Sequence, residues 1–307
     1  MASTAIDINV NLASTSTSSA APAVTSDTAA VATLDTITSE QVGAYYDQLV
    51  QYYRMVWDGN LHMGYWKDDD PNASLQVAQE NLTDILVERT PVGPGKKVLD
   101  VGCGFGRPAI KLAEKTGCSV EGITISREQA AEANRYAQER GLSERAVFRH
   151  MDAMAMTFEP DSFDAVWAFE CLFHMPDRVQ VLRQIARVLR PGGRLILTDS
   201  CGKVPFTPIE MKLMHDGFQV NAYMSPDEYT SVLRTLGIKV TEVVDMSKNT
   251  SNSYTAVMEA TMKNEAALRA IYGEGFIAQM QHTAPMLDAI NREKLEYFWL
   301  VAEKVVW

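Results

Sequence analysis

The residues with the clearest chemical potential lie where an apolar run ends in an acidic residue and three closely spaced glycines. Residues 98–101 read V-L-D-V and lead directly into G-C-G-F-G at 102–106. A short apolar run of this kind is typical of a buried parallel strand. Glycines allow positive φ and carry no Cβ, so a ligand can approach the backbone closely. The pattern predicts a ligand-binding turn between a strand and a helix that begins near Pro108.

A carboxylate and an imidazole form the second group that could do chemistry. Glu170 and His174 follow another apolar run at 163–168. A carboxylate in an apolar, aromatic environment has a raised pKa and can accept a proton as a general base. His174 is the rival base. The alternatives are structural, because Glu170 would also serve to anchor a loop and His174 to hold the turn before Pro176.

The elements that must position these groups alternate between strands and helices. The pattern predicts strands at 97–101, 119–123, 146–150, 163–168 and 194–199, with helices at 108–116, 126–140 and 177–189. This alternation is typical of an α/β fold with a parallel sheet, helices on both faces and a ligand at the carboxyl ends of the strands. The remaining predicted elements are a helix at 226–236, a strand at 238–245, helical sequence near 262–293 and a strand at 296–305.

The order of motifs resembles that of the class I S-adenosylmethionine-dependent methyltransferases. The glycine turn is followed by Asp152-Ala153, by F-D-A-V-W at 163–167 and by L-R-P-G-G-R-L at 189–195. The resemblance covers residues 40–307. It implies a Rossmann-like fold with a seven-stranded, mostly parallel sheet and an antiparallel C-terminal hairpin. A Rossmann-like domain that binds another nucleotide is the alternative.

The resemblance implies S-adenosylmethionine as the cofactor and S-adenosylhomocysteine as its product. Asp100 would position the amine of the methionine part, and Asp152 would meet the adenine. An acidic residue often ends the second strand in relatives, but Thr124 stands there in this chain. The T-x-S-x-x-Q pattern is similar to that of cyclopropane synthases, in which the threonine and the glutamine contact the ribose. The implied cofactor-binding set is Asp100, Gly102, Gly104, Thr124, Gln129, Asp152 and Ala153.

Composition divides the chain into three parts. Residues 1–36 are rich in Ala, Ser and Thr and show no periodicity, which predicts a disordered tail. Residues 37–90 are expected to form a helical cap over the substrate, starting with a helix capped by Ser39. Residues 91–307 are expected to form the methyltransferase domain, with a Met- and aromatic-rich lid inserted near 202–224.

Aromatic side chains are concentrated in the predicted cap and beside Glu170. The first cap helix carries four tyrosines, and the loop at 57–66 reads W-D-G-N-L-H-M-G-Y-W. Packing within the core is the alternative for the tyrosines. Aromatic faces stabilise a carbocation through their quadrupole, so we expect these side chains to wall a substrate site. The predicted substrate-binding set is Tyr46, Tyr53, His62, Tyr65, Trp66, Phe169 and Phe173.

The motif E-x-x-x-H-M-P at 170–176 is similar to that of sterol and tocopherol methyltransferases and of sugar and macrolide O-methyltransferases. With the aromatic set, the nearest resemblance is to bacterial isoprenoid diphosphate C-methyltransferases, such as those that act on geranyl diphosphate at C6. That resemblance implies attack by an alkene, a tertiary carbocation and proton removal by Glu170. The alternatives are O- or N-methylation of a polyketide, sugar or indole-terpenoid with His174 as the base, and a cofactor-binding fold that acts as a cyclase or a binding module.

Charge, hydropathy and cysteine usage exclude several classes of partner. The formal net charge of −11 argues against nucleic acid as a substrate, because phosphate backbones require basic grooves. No apolar run reaches the roughly 18 residues that would span a membrane. Four scattered cysteines without a C-x-x-C pair predict reduced thiols and a cytoplasmic location. Mg²⁺ is expected if the substrate is a diphosphate, although no metal ligands can be assigned, and a homo-oligomer stays open.

Overall fold

The computed structural model describes residues 34–68 and 70–306. The expected disordered tail lies almost wholly outside the described residues. Residues 34–38 run without regular secondary structure up to the first helix, and Ile37 in this segment is buried. The division of the chain into cap and methyltransferase domain stays a prediction.

The described residues contain one seven-stranded sheet. Its strands are β1 (Lys97–Val101), β2 (Ser119–Thr124), β3 (Ala146–His150), β4 (Phe163–Phe169), β5 (Leu189–Gly202), β6 (Ile238–Asp245) and β7 (Leu295–Lys304). Their order across the sheet is β3-β2-β1-β4-β5-β7-β6. Strands β1 to β5 run parallel, whereas β7 is antiparallel to both β5 and β6. The expected α/β fold with an antiparallel C-terminal strand pair is confirmed.

Helices cover the sheet and its carboxyl edge. In chain order they are α1 (Ser39–Gln48), α2 (Val50–Val56), α3 (Leu75–Glu88), α4 (Arg107–Thr116), α5 (Arg127–Glu139), α6 (Arg178–Val188), α7 (Pro208–Phe218), α8 (Pro226–Thr235), α9 (Ser247–Thr250), α10 (Ser253–Lys263), α11 (Glu265–Tyr272) and α12 (Glu274–Glu293). Among these helices, none combines the length and the apolar character needed to cross a membrane.

The N-terminal helix differs from its prediction at both ends. Thr38, not Ser39, is the cap: its hydroxyl accepts from the Gln41 amide, and the Gln41 side chain accepts from the Thr38 amide at 2.8 Å. This reciprocal pair satisfies two amides that a helix start leaves free. The segment then breaks at Leu49, whose ψ of 10° is not helical, so the four tyrosines are divided between α1 and α2.

Two further elements are longer than predicted. The strand expected at 194–199 extends back to Leu189, which pairs with Phe163 across a bulge, and forward to Gly202, which pairs with Leu295 of β7. The helical sequence between β6 and β7 begins at Ser247 rather than near 262. We call residues 247–293 the helical insertion, and residues 202–224, which contain α7, the lid.

Alternate side chains of the central strands enter two buried layers. In β1, Leu99 packs in a cluster with Leu182 of α6 and Tyr229 of α8, whereas Val98 packs on the other face with Leu82 of α3 and Ile110 of α4. Successive side chains of a strand point to opposite faces, so each face of β1 is fixed by its own helices. This double packing holds the carboxyl end of β1 where the glycine turn begins.

The helical insertion and the lid pack over the carboxyl edge of the sheet. Tyr52 of α2, Val257 of α10 and Phe276 of α12 share one buried cluster. Leu213 of α7 and Leu287 of α12 share another. Because α12 contributes to both clusters, the N-terminal helices, the lid and the helical insertion form one apolar layer over this edge.

Candidate active site

Two cavities meet at the carboxyl ends of the parallel strands. The first cavity encloses about 890 Å³, partly open to solvent, and all of its lining residues fall between Ser39 and Pro176. The second cavity encloses about 1330 Å³, also partly open, beneath the lid and the helical insertion. The residues that line both cavities are Tyr46, Leu61, Glu170 and His174. We call these four residues the junction.

The glycine turn after β1 lines the first cavity. The amides of Gly102 and Cys103 both donate to the carbonyl of Ile123, at 2.8 and 3.0 Å. Gly102 has a φ of +71°, and a Cβ built on it would lie 2.4 Å from the Cβ of Cys171. Glycine is therefore required here by both backbone conformation and space. The turn has the close-approach geometry that the sequence predicts.

Asp100 presents a buried carboxyl to the first cavity. The residue is 3% exposed, and within the described part of the chain its side chain makes no hydrogen bond. Burial raises the pKa of Asp100 to about 8. A cation in the cavity would favour the charged carboxylate and offset its loss of hydration. The ammonium of an amino acid supplies that charge.

Polar groups at the ends of β2 and β3 complete the first cavity. The Thr124 hydroxyl donates to Gln129 Oε1 at 2.8 Å, and the side-chain Nε2 of Gln129 has no acceptor within the described residues. Asp152 uses one carboxylate oxygen to accept from the Met154 amide at 2.8 Å, leaving its other oxygen free of described partners. A free amide donor and a free carboxylate oxygen suit a ribose hydroxyl and an exocyclic amine.

The structure brings the whole expected cofactor set together. The residues of that set that line the first cavity are Asp100, Gly102, Gly104, Thr124, Gln129, Asp152 and Ala153. Their individual contacts with a cofactor stay predictions. The set fits S-adenosylmethionine, because it offers an unpaired buried acid, a backbone cradle that a Cβ would fill, and polar groups at the far end.

Glu170 has the contacts of an anchor at the junction. Its Oε1 accepts from the Met63 amide at 2.7 Å and from the Tyr297 hydroxyl, while within the described residues Oε2 accepts nothing. Glu170 has a φ of +47°, which is uncommon for a residue with a side chain. Removal of the carboxyl from water raises the pKa of Glu170 to about 8, although both hydrogen bonds oppose the rise. The loop at 57–66 is thereby tied to β4 and β7.

His174 is held with one defined ring nitrogen free to accept a proton. Its Nδ1 lies 3.0 Å from the Gln219 carbonyl, and its Nε2 lies 2.9 Å from the Tyr46 hydroxyl. A carbonyl only accepts, so we assign the proton to Nδ1, and Nε2 then accepts from Tyr46. Burial lowers the pKa of His174 to about 4. His174 is therefore a neutral acceptor at the junction across the physiological pH range.

The second cavity is apolar and aromatic. Within the described residues, its lining contains no Lys, Arg or Asp, and Glu170 is its one acidic residue. Several polar lining groups, those of Ser200, Tyr223, Tyr254 and Gln279, make no side-chain hydrogen bond to described residues. The aromatic lining residues are Tyr45, Tyr46, Tyr52, Tyr53, Trp57, Phe173, Phe218, Tyr223, Tyr254 and Phe276.

The predicted substrate-binding residues fall into three groups. Tyr46, Tyr53 and Phe173 line the second cavity, as expected. His62 and Phe169 line the first cavity instead. The His62 ring is hydrogen-bonded to Thr83 at 3.0 Å and to the Met63 carbonyl at 2.8 Å, and burial lowers the pKa of His62 to about 4. These contacts are those of a structural histidine.

Tyr65 and Trp66 line neither of the two cavities, so their contact with substrate stays a prediction without support from the cavity linings. The Tyr65 amide donates to the Ala78 carbonyl at 2.8 Å. The Trp66 indole is 6% exposed and donates to the Ala73 carbonyl at 2.9 Å. The end of the 57–66 loop packs against α3, where the Trp66 side chain is buried in a cluster with Leu75 and Ala78.

Sequence reasoning missed the residues that close the second cavity from the far side. Tyr254 and Phe276 come from the helical insertion, and Tyr223 comes from the lid. Tyr297 of β7 was also missed, and its hydroxyl donates to the Glu170 carboxyl. The signal for Tyr254, Phe276 and Tyr297 would have been the aromatic content of 247–298, but nothing in local spacing links these positions to Glu170. Tyr223 lies in the aromatic-rich segment near 202–224 that the sequence predicts as a lid.

No cation of the described chain is placed to hold a diphosphate in either cavity. The basic side chains Arg54, Lys67, Arg178, Lys203 and Lys212 line neither one. Arg54 pairs with Glu132, Lys212 pairs with Asp216, and Arg178 donates to the Ala222 carbonyl. Across the described residues, no group of three or more His, Cys, Asp or Glu side chains could hold a metal ion.

Comparison with known proteins agrees with this geometry. Residues 99–197 match the family described as Methyltransferase domain. The chain is 39% identical over 272 residues to 27-O-demethylrifamycin SV methyltransferase of Amycolatopsis mediterranei, covering 87% of this chain and 98% of the relative. The chain belongs to the S-adenosylmethionine-dependent methyltransferases. This methyltransferase is also 34% identical over 263 residues to (+)-O-methylkolavelool synthase of Herpetosiphon aurantiacus, covering 86% of this chain and 93% of the relative.

Two solved structures share the fold of this chain. The [4+2]-cyclase SpnF superposes with a TM-score of 0.78 at 31% identity, covering 89% of this methyltransferase and 98% of SpnF. Geranyl diphosphate C-methyltransferase from Streptomyces coelicolor superposes with a TM-score of 0.68 at 20% identity, covering 87% of this chain and 97% of that one. The second likeness shows the fold alone.

Proposed function

We propose that this methyltransferase methylates a hydroxyl group of a large, uncharged and oxygenated natural product of polyketide or terpenoid type. The observation that carries the proposal is the second cavity, which is wide and aromatic and has no Lys or Arg among its described lining residues. Burying a diphosphate there without a cation would leave its charge uncompensated. An uncharged acceptor with extensive apolar surface has no such cost.

Unpaired polar groups within this apolar lining favour an acceptor that carries several oxygen atoms. Tyr223, Tyr254, Ser200 and Gln279 line the cavity without side-chain hydrogen bonds to described residues. By contrast, the hydroxyls of Tyr45 and Tyr46 are both hydrogen-bonded within the protein. Unpaired polar groups in a binding site discriminate against ligands that lack matching groups.

The junction supplies a route for the proton that the acceptor hydroxyl must lose. Tyr46 already donates to His174 Nε2, so its oxygen is oriented to accept from a hydroxyl in the second cavity. The acceptor proton would pass to the Tyr46 oxygen as the Tyr46 proton passes to His174. A weak base is sufficient, because an oxygen gaining a methyl group becomes strongly acidic.

The first cavity would hold S-adenosylmethionine, which supplies an electrophilic methyl group. Asp100 would bind the ammonium, Gly102 and Gly104 would let the backbone approach, and Thr124 with Gln129 would meet the ribose. Asp152 and Ala153 would meet the adenine. Glu170 would hold the loop at 57–66 in place between the two cavities.

The names of two relatives support this choice of reacting atom. One is named for a product with an O-methyl group, and the other for a substrate that lacks a methyl group on oxygen. A second candidate is C-methylation of geranyl diphosphate, favoured by the aromatic walls around Glu170. A third is cyclisation without methyl transfer, favoured by the likeness to SpnF.

One turnover experiment separates these candidates. The purified chain is incubated with S-adenosylmethionine carrying a labelled methyl group and with 27-O-demethylrifamycin SV, kolavelool or geranyl diphosphate. Geranyl diphosphate is tested with Mg²⁺ and with chelator. We expect label in a methoxy group of an alcohol acceptor, lost in His174→Ala. A methylated prenyl diphosphate would contradict the proposal, and so would an unlabelled isomer of the acceptor.

A further inference from the structure

We infer that Gln219 is a positioning residue that fixes the proton of His174 on Nδ1 and so keeps Nε2 available as the proton acceptor. The inference rests on the proposed function in one respect, that His174 Nε2 receives the proton from the acceptor. It adds a role for the lid, since Gln219 lies within it. The contact between the Gln219 carbonyl and His174 Nδ1 would then link the position of the lid to the tautomer in which His174 can accept a proton.

The backbone at Gln219 ends α7 and turns its carbonyl toward His174. Gln219 follows α7 with φ 54° and ψ 41°, in the left-handed region. Helices commonly end in this conformation, and the Gln219 amide donates to the Met214 carbonyl, although glycine adopts it with less strain than a residue with a Cβ. The carbonyl of Gln219 is thereby aimed at His174 Nδ1, 3.0 Å away. The side chain has only a local role, donating to the Asp216 carbonyl at 3.1 Å.

A second lid residue fixes the same loop and prevents the His174 backbone from shifting. The Asn221 amide donates to the Phe173 carbonyl at 2.9 Å, and its side-chain nitrogen donates to the His174 carbonyl at 2.6 Å. Asn221 also exchanges two hydrogen bonds with the backbone of Ile37, at 2.8 and 2.9 Å. Residues 219–221 therefore join the lid, the turn after β4 and the segment before α1.

The alternative tautomer of His174 would lose its contact with the Gln219 carbonyl. With the proton on Nε2, the bare Nδ1 would face the carbonyl oxygen of Gln219, an acceptor against an acceptor. The Nε2 proton would be donated to the Tyr46 hydroxyl, which can accept as well as donate, so the Gln219 contact alone distinguishes the two tautomers. His174 is 6% exposed, so bulk water cannot replace the lost contact with Gln219. A seated lid therefore selects one tautomer.

The test uses two substitutions at one position. Gln219→Gly keeps the carbonyl and adopts left-handed backbone freely, whereas the β-branched Gln219→Val resists that backbone. Long-range proton–nitrogen NMR of the protein with labelled histidine reports the tautomer of each ring without any acceptor. The His174→Gln variant identifies the His174 signals among the five histidines.

We expect a single Nδ1–H tautomer in the wild type and in Gln219→Gly, and a mixture in Gln219→Val. We also expect kcat with the alcohol acceptor to fall in Gln219→Val by about tenfold or more, with the KM for S-adenosylmethionine unchanged. A wild-type His174 protonated on Nε2 would overturn the inference without any variant. An unchanged spectrum and kcat in a folded Gln219→Val would overturn it too.

The outcome also separates this inference from the proposed function. Full turnover in His174→Gln would remove the base on which both depend. An inactive His174→Gln with a normal Gln219→Val would leave the proposed function standing and remove only the role of Gln219. Circular dichroism and S-adenosylhomocysteine affinity serve as folding controls for each variant.

Discussion

Tyr46 and His174 meet at the boundary of the two cavities through a hydrogen bond of 2.9 Å between the tyrosine hydroxyl and His174 Nε2. Their rings also lie edge to face, with centroids 5.5 Å apart. Tyr46 comes from α1 and His174 from the turn after β4, so the pair joins the N-terminal helices to the sheet. The pair makes up half of the junction at which the two cavities meet.

Removing the Tyr46 hydroxyl should slow turnover and spare cofactor binding. Tyr46→Phe interrupts the proton route to His174, and general acid–base steps contribute about 10²- to 10⁴-fold to rates. We expect kcat to fall by about 10²-fold in steady-state assays with an alcohol acceptor. Tyr53→Phe is the matched control, because Tyr53 lines only the second cavity. Equal losses in both variants would count against a specific role for Tyr46.

Adding one methyl group at Gly102 should abolish cofactor binding. In Gly102→Ala the new Cβ would collide with the Cβ of Cys171, 2.4 Å away, in a backbone of φ +71°. Gly95→Ala is the control, because Gly95 has φ +79° with nothing within 4 Å. The control should cost only the left-handed strain of about 1–2 kcal/mol. Calorimetric titration with S-adenosylhomocysteine checks this, and tight binding by Gly102→Ala would disprove the placement of the turn.

Asp100 should make the cofactor-free protein less stable as pH rises. Burial raises the pKa of Asp100 from 3.8 to about 8, so between these values the folded chain keeps a proton that the unfolded chain has lost. The free energy of unfolding therefore falls with rising pH, by up to about 1.4 kcal/mol per pH unit for this group. Below both values the contribution of this group is constant.

Urea denaturation at several pH values measures this slope. Glu170 and Asp199, with pKa values raised by burial to about 8 and about 7, act in the same direction. His62 and His174 act oppositely, but only between about 4 and 6.5. Between pH 6.5 and about 7.5 the two histidines no longer change the slope, so the contribution of Asp100 is measured in this range. There Asp100→Asn should have a shallower slope than the wild type, and the exposed-site control Asp227→Asn should not.

Glu170→Gln should separate an anchor from a base. Glutamine keeps an oxygen to accept from the Met63 amide and the Tyr297 hydroxyl, and the raised pKa of Glu170 already favours a neutral group at pH 7. We expect O-methylation to stay within about tenfold of the wild-type rate, far less than the loss of a general base. Glu170→Ala, which removes the anchor, should be much slower. Inactivity of Glu170→Gln with intact cofactor affinity would return Glu170 to the role of base.

The first cavity was predictable because local chain segments build it. Asp100 and the glycines lie within one strand–turn unit, and Thr124 and Gln129 lie within the next. Spacing along the chain therefore determines their positions in space. The homo-oligomer and the cytoplasmic location remain sequence-based expectations. The geranyl diphosphate substrate also remains a prediction, and neither cavity has a Lys or Arg among its described lining residues to bind the diphosphate.

The second cavity was largely beyond sequence reasoning, for the opposite reason. Its walls come from α1 and α2, the lid and the helical insertion, which are distant in the chain. Aromatic residues at such positions look alike whether they line a cavity or fill a core. Trp66 and Phe173 illustrate this, since both were expected to meet substrate, and only Phe173 lies beside the second cavity.

The first cavity draws only on the earlier part of the chain, whereas the second draws on both parts. Every described lining residue of the first cavity precedes residue 177, whereas much of the second is contributed by residues 200–295. Mutations in the later half can thus reshape what is methylated without disturbing the methyl donor. Preference for the acceptor can therefore diverge among related enzymes while binding of the methyl donor is kept. Residues 200–295 are a suitable segment to exchange between relatives when chimeric enzymes are built.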